Sequence, residues 1–168
     1  MSPRIKLILI GVACLAPMVL ASLAYHFEWV KGGETSNYGT LLEPKPVSAP
    51  GLAQLRGKWV LVTADAAACD AYCERKLYFM RQVRRAQNRE VERVARLWLI
   101  TDGGTPRPEV VAAIEGTRIE KSAPGDFASD HIYLVDPLGN LMMRYPRDPD
   151  PSRMIKDLQR LLKYSRIG

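Results

Sequence analysis

Trp59-Val60-Leu61-Val62-Thr63-Ala64-Asp65-Ala66-Ala67-Ala68-Cys69-Asp70-Ala71-Tyr72-Cys73 decides how the rest of the chain is read. Its first five residues are almost wholly apolar and rich in β-formers, as expected of a strand covered on both faces. From Ala67 to Val94 the pattern turns helical. Leu77, Met80 and Val83 recur at threes, and Val91 and Val94 do so again after a polar gap. Cys69 and Cys73 therefore stand where a buried strand passes into a helix. Residues four apart on a helix share a face, so the two sulfurs can approach one another or one soft ion. A thiol at a helix N-terminus lies at the positive end of the dipole, which favours thiolate. Asp70 opposes that effect.

Downstream, Leu97-Trp98-Leu99-Ile100-Thr101 reads as the next strand, and Asp102-Gly103-Gly104 as a turn. Pro106 or Pro108 opens a short helix through Ile114. His131 to Val135 is a third strand. Asp136-Pro137-Leu138-Gly139 is turn chemistry, and Leu141 to Tyr145 returns as a hairpin partner. Pro151 and Ser152 start a last helix with Met154, Leu158, Leu161 and Leu162 on one stripe. The order β-α-β-α-β-β-α demands parallel pairing through crossovers with an antiparallel edge. It is the order of an α/β, thioredoxin-like domain.

Upstream, Leu7 to Tyr25 is a run of 19 residues without a charge. At 1.5 Å per residue it reaches about 28 Å, the thickness of a bilayer core. Arg4 and Lys6 precede it, whereas Glu28, Lys31 and Glu34 follow, so the N-terminal end belongs in the cytoplasm. We expect an uncleaved anchor over residues 1–31 with its transmembrane part at about 7–25. A cleaved signal peptide ending near Ser22-Leu23-Ala24 and a lipoprotein modified at Cys14 are the alternatives. Pro17 is tolerable inside a membrane helix. Trp29 reads as an interfacial belt residue. Residues 32–50, with glycines first and prolines last, read as a linker. The folded domain is expected over 51–168, in the periplasm or an equivalent space.

The chain of 168 residues carries 24 Lys+Arg against 18 Asp+Glu, a formal charge of +6. That length holds one domain plus an appendage, and a 47% apolar composition is globular. The export orientation, with no zinc-finger spacing, RNP-like stretch or Walker loop, disposes of nucleic acid as a partner. Gly103-Gly104 carries no phosphate signal. Three cysteines are too few for a disulfide scaffold. Cys14 reads as a small apolar residue, which leaves Cys69 and Cys73 as a working pair. In an oxidising compartment they can rest as a disulfide, whereas reduced thiolates select Cu(I). Zinc would need further ligands, and His26 and His131 are the chain's imidazoles.

These residues resemble the Sco/SenC family, membrane-anchored thioredoxin-like proteins that help assemble the copper A centre of cytochrome c oxidase. The likeness runs through most of Gly57 to Leu162. It is carried by Gly57-Lys58-Trp59-Val60-Leu61, by Cys69-x-x-x-Cys73 with Leu77 after it, and by Asp102 followed by Thr105-Pro106 and Pro108-Glu109-Val110. Ile132-Tyr133-Leu134-Val135-Asp136-Pro137-x-Gly139 and Asp157-Leu158…Leu161-Leu162 extend it. Of these only CxxxC is specific for function. The family has proline after each motif cysteine, where this chain has Asp70 and Glu74. Its third copper ligand is a histidine some eleven residues before the turn glycine. That place is Ala128 here, and His131 lies three residues beyond it. The shift is odd, so on a continuous strand His131 would face away, although a loop or bulge would free it to turn back.

The resemblance implies an inner-membrane factor whose Cys69, Cys73 and His131 hold Cu(I) for the oxidase subunit that carries the copper A centre. Two alternatives stand beside it. In one, a thiol–disulfide reductase attacks with Cys69 and resolves with Cys73; in the other, a non-catalytic module docks onto an assembly partner. Arg81, Arg85, Arg89 and Arg93 make a basic stripe at helical spacing, either a solvated face or a docking surface for an acidic partner or anionic lipid. Of Met142 and Met143, adjacent in a strand, one should be core. Trp59 and Trp98 should be core as well.

Overall fold

The structure, a computed structural model, describes residues 2–26, 37–122 and 125–167 and divides into two units, 1–36 and 37–168. Trp29, the charges at 28, 31 and 34, and the first part of the expected linker lie outside the described residues. In the first unit helix α1 spans Pro3–His26, with Pro17 inside it. Its window Pro3–Ala24 is long and apolar enough to cross a membrane. Ile10, Leu15, Val19 and Leu20 leave apolar surface uncovered on several sides of it, and Cys14 is exposed among them. An exposed apolar cylinder of this length is the form that lipid, not water, accommodates.

The second unit is built on a six-stranded sheet of strands β1 (Thr40–Pro46), β2 (Trp59–Asp65), β3 (Val94–Ile100), β4 (Arg118–Lys121), β5 (Tyr133–Val135) and β6 (Asn140–Arg144). The spatial order is β1-β6-β5-β2-β3-β4. β2, β3 and β4 run parallel; β5, β6 and β1 follow as antiparallel neighbours. Every residue of β2 is buried, as its apolar run predicts for the central strand. Helices α2 (Ala71–Arg85), α3 (Pro108–Ala113) and α4 (Pro151–Tyr164) complete the unit.

The sheet's two faces are covered differently. Trp59, Leu61 and Leu134 pack with Met80 and Val83 of α2 and with Met154, Leu158 and Leu162 of α4. Val60, Val62, Leu97 and Leu99 on the opposite face pack against Leu52 and Phe127, with Leu42, Val47, Ala49 and Leu55 beside them. That second layer explains a departure from the sequence reading. Part of the 32–50 stretch expected as a tether instead supplies the edge strand β1 and apolar cover for β2. Its proline-rich composition suits an edge, where a missing N–H costs no ladder bond. The entry is anchored by buried Asp157 of α4, whose carboxylate accepts from the N–H groups of Tyr38 and Gly39, each at 2.9 Å. A Cβ on Gly39 would run into the Met143 thioether, so the close approach needs glycine.

Other boundaries moved for identifiable reasons. The helical pattern expected to Val94 ends at Arg85, because Gln87 turns its amide back onto the Val83 carbonyl at 2.7 Å and Asn88 takes a φ of +51°. A 3-10 turn, Asn88–Arg93, follows, and Val94 opens β3. The arginine stripe is consequently not one helical face. Arg84 donates to the Val94 carbonyl at 2.7 Å, Arg93 to the carbonyls of Leu162 and Ser165, and buried Arg96 to that of Glu115. β4 escaped the sequence reading because Arg118-Ile119-Glu120-Lys121 has one apolar residue, the charged composition of an edge strand. Trp59, Trp98 and Met143 are buried as expected, and Met142 packs at the margin.

Candidate functional site

The chain leaves central β2 at Asp65 and reaches α2 through a tight turn. Cys69 N–H donates to the Ala66 carbonyl at 3.1 Å, and Cys69 sits at φ +41°, a left-handed conformation that costs a β-carbon residue about 1–2 kcal/mol. Asp70 is the N-cap of α2: its carboxylate accepts from Cys73 N–H at 2.8 Å. Cys69 therefore precedes the helix rather than riding its first turn. The left-handed bend, not a shared helical face, brings its Cα to 5.1 Å from that of Cys73, and the two sulfurs are bonded as a disulfide. Both cysteines are almost fully buried, 2% and 1% exposed, against Leu77, Trp98, Ile100, Val110 and Ile114.

The loop after β3 grips this turn at two points. Asp102 accepts from Ala67 N–H and Gly104 N–H, each at 3.0 Å, and these two bonds hold its carboxyl below the usual carboxylate range. Arg107, at the N-cap of α3, donates to the Cys69 carbonyl at 3.0 Å and forms an ion pair with Glu74 on α2.

Behind the pair lies a group that sequence reasoning missed. Lys76, one helical step beyond Cys73, is 1% exposed and its ammonium meets the Asp65 carboxylate at 2.7 Å. Thr63 donates to the other carboxylate oxygen at 2.7 Å. Burial nevertheless pushes the Asp65 carboxyl above its usual range, against the hydrogen bonds from Lys76 and Thr63. The Lys76 ammonium also binds the Ser129 carbonyl, and Tyr72 donates to the Asp130 carbonyl at 2.7 Å. The residues that flank Cys73 thus hold the loop that carries His131. An acid ending an apolar strand is visible in sequence, but nothing marks Lys76 among the charges of α2 as its partner.

His131 lies in that loop, two residues before β5, so the strand-parity argument does not apply to it. Its Nδ1 is 2.9 Å from the Tyr145 carbonyl. A carbonyl only accepts, so Nδ1 carries the hydrogen and the neutral ring keeps a lone pair on Nε2. That tautomer suits a metal ligand. Yet among the described residues no three His, Cys, Asp or Glu side chains converge into a group able to hold a metal ion. The disulfide brings Cys69 and Cys73 together; it does not bring His131 to them.

A family model for a transmembrane-like, thioredoxin-like, C-terminal domain matches residues 59–165. The chain belongs to that family. The thioredoxin-like fold also matches solved structures. Apo Sco1 from Thermus thermophilus is 22% identical, with a TM-score of 0.55 over 77% of this chain and 99% of that one. Copper-bound ScoI from Bradyrhizobium japonicum is 17% identical, with a TM-score of 0.51 over 73% and 96%. A putative protein disulfide isomerase from Bacteroides thetaiotaomicron is 15% identical, with a TM-score of 0.50 over 76% and 87%. These likenesses bear out the Sco/SenC resemblance as one of fold. No curated protein sequence matches the chain.

Proposed function

We propose that this thioredoxin-like protein is a Sco-like copper and thiol factor, anchored in the cytoplasmic membrane by α1 with its C-terminal domain in the periplasm. Reduced Cys69 and Cys73 take Cu(I) as cargo and pass it by ligand exchange to the cytochrome c oxidase subunit carrying the copper A centre. The observation that carries this reading is the CxxxC pair, bridged at the mouth of central β2 in a fold shared with a copper-bound ScoI. A dithiol reductant outside this chain must first supply two electrons and two protons to the disulfide, leaving itself oxidised and Cys69 and Cys73 as thiols. Binding of the soft ion then displaces the thiol protons. His131, with Nδ1 on a carbonyl, is prepared to add Nε2 once its loop shifts toward the sulfurs.

A second reading, a thiol–disulfide reductase acting on oxidase-subunit cysteines, is favoured by the separation of His131 from the disulfide. There the reduced Cys69 thiolate would attack a substrate disulfide and Cys73 would resolve the mixed disulfide, releasing the substrate as two thiols and leaving the Cys69–Cys73 pair oxidised. The reduced full chain in detergent, titrated with Cu(I) against a moderate chelator, separates the two. Copper delivery predicts one bound equivalent, loss of binding in Cys73→Ser, and about tenfold weaker binding in His131→Ala. No binding in competition with the chelator overturns it. Exchange of the reduced pair with a peptide disulfide, unchanged in His131→Ala, would then establish the reductase.

A further inference from the structure

Beside the disulfide, α2 and α3 leave an open groove of about 560 Å³. Leu77, Val110 and Ile114 form its buried floor, the same side chains that pack against the cysteines. Tyr78, 56% exposed, stands on the rim. Arg107 lies at the end that touches the cysteine turn. Arg81 spans the trough, donating from Nη1 to the Ala113 carbonyl at 2.9 Å. The apolar floor runs between these two guanidiniums.

We propose that this groove is the docking site for an extended client segment that carries an aliphatic side chain next to a carboxylate. The proposal rests on the copper and thiol reading for the word client, and on the groove's own chemistry for the rest. Three arginines and two glutamates line it, and one of those glutamates, Glu74, is already committed to Arg107. Arg75 is paired with Asp148 outside the groove and Arg107 with Glu74, so the cation open to a ligand is Arg81, which spends one of its five N–H groups on the Ala113 carbonyl and keeps donors for a forked contact with a carboxylate. The Arg107–Glu74 pair is half-exposed on both sides, so an arriving carboxylate can replace Glu74 at little cost. An aliphatic side chain laid over Leu77, Val110 and Ile114, which are themselves already buried, takes chiefly its own apolar surface out of water. The concave shape, with glutamates among its arginines, favours a peptide over an anionic bilayer. A flat lipid surface would press its phosphates against Glu74 and Glu109 as well.

The docked segment would lie along the wall that buries Cys69 and Cys73. The groove therefore places a client next to the pair without needing either sulfur exposed beforehand.

The test uses the disulfide form of the full chain, isotope-labelled in zwitterionic detergent, and two cysteine-free peptides, acetyl-Ala-Leu-Glu-Ala-amide and acetyl-Ala-Leu-Gln-Ala-amide. The Glu peptide should shift the amide signals of Leu77, Tyr78, Val110 and Ile114 and bind about fivefold more tightly than the Gln peptide, the effect of one exposed charge-assisted contact. Arg81→Gln should erase that preference. Tyr78→Ser, at an exposed position that leaves the core intact, should weaken both peptides. Equal binding of the two peptides, shifts elsewhere on the domain, no shifts at millimolar peptide, or a preference unaltered in Arg81→Gln each overturns the proposal. So does perturbation of these residues by phosphatidylglycerol bicelles but not by the Glu peptide. Neither peptide carries a thiol and no copper is added, so this outcome and that of the copper titration stand apart.

Discussion

The cysteine turn and the His131 loop lie at the same end of the sheet, because β5 runs antiparallel to β2, yet they are held in different ways. Several of the turn's constraints are local. The Ala66 carbonyl and the Asp70 cap lie within a few residues of the cysteines, and Asp102 and Arg107 arrive from one neighbouring loop. The histidine loop is held mainly from a distance. Lys76 takes Ser129, Tyr72 takes Asp130, and His131 itself reaches Tyr145. The cysteine half of the candidate site thus combines a short-range code, from Ala66 and Asp70, with two holds supplied by the loop after β3. The other half depends on a buried charge belonging to a different element. The comparison implies that the two halves can be uncoupled.

The largest effect should come from cutting the long-range hold. Lys76→Met leaves the Asp65 carboxylate buried without its cation, which costs on the order of 3–5 kcal/mol. Asp65→Leu combined with Lys76→Met removes both charges and should recover most of that loss, since an apolar pair of similar volume tolerates burial. Urea unfolding of the two variants measures the difference. A loss below about 1 kcal/mol in the single variant would show that water, not Lys76, satisfies Asp65. The His131 ring signals should move in Lys76→Met, because the Ser129 contact goes with the ammonium.

Cutting the local hold should do less and stay local. Asp70→Ala deletes the N-cap and should cost about 1 kcal/mol. His131 signals should remain in place while those of Ala71 to Glu74 shift. Movement of His131 in this variant would mean that the two halves communicate through α2, and the contrast drawn above would fail.

The same contrast explains what could be read in advance. Trp59 to Thr63 announced a strand covered on both faces through an almost wholly apolar run, and Met154, Leu158, Leu161 and Leu162 announced α4 through their period, because burial on a face leaves a local pattern. The position of the cysteines at the strand–helix junction was equally plain. Their exact geometry was not: a left-handed Cys69 with Asp70 as cap replaces a pair on one helical turn, and no propensity rule selects a cysteine for φ +41°. Residues 40–46 were hidden by prolines that an edge strand tolerates, and 118–121 by the charges an edge strand favours. Lys76 was the deepest omission. Its pairing with Asp65 crosses from helix to strand, and a buried lysine is indistinguishable by sequence from the solvated arginines around it.

The smallest effect tests, through pH, what the charge of one of the turn's anchors, Asp102, contributes. Asp102 is held below the usual carboxylate range by the Ala67 and Gly104 N–H groups, so the folded state binds its proton more weakly than the unfolded chain does. Its contribution is fully present above the unfolded carboxylate pKa, about 3.9, and is lost as pH falls through the lower folded value. Asp102→Asn keeps an acceptor of the same shape and removes only the charge. Wild type should therefore unfold at higher urea than the variant at pH 6, and the two midpoints should converge toward pH 3. Asp65 titrates with the opposite sign: raised by burial, it favours the folded state less as pH climbs through its range, and it does so equally in both proteins. The difference between the two midpoints thus isolates Asp102. A gap that stays constant from pH 6 to 3 would mean that the Ala67 and Gly104 bonds act by geometry alone, and that the charge of Asp102 adds nothing to the hold on the cysteine turn.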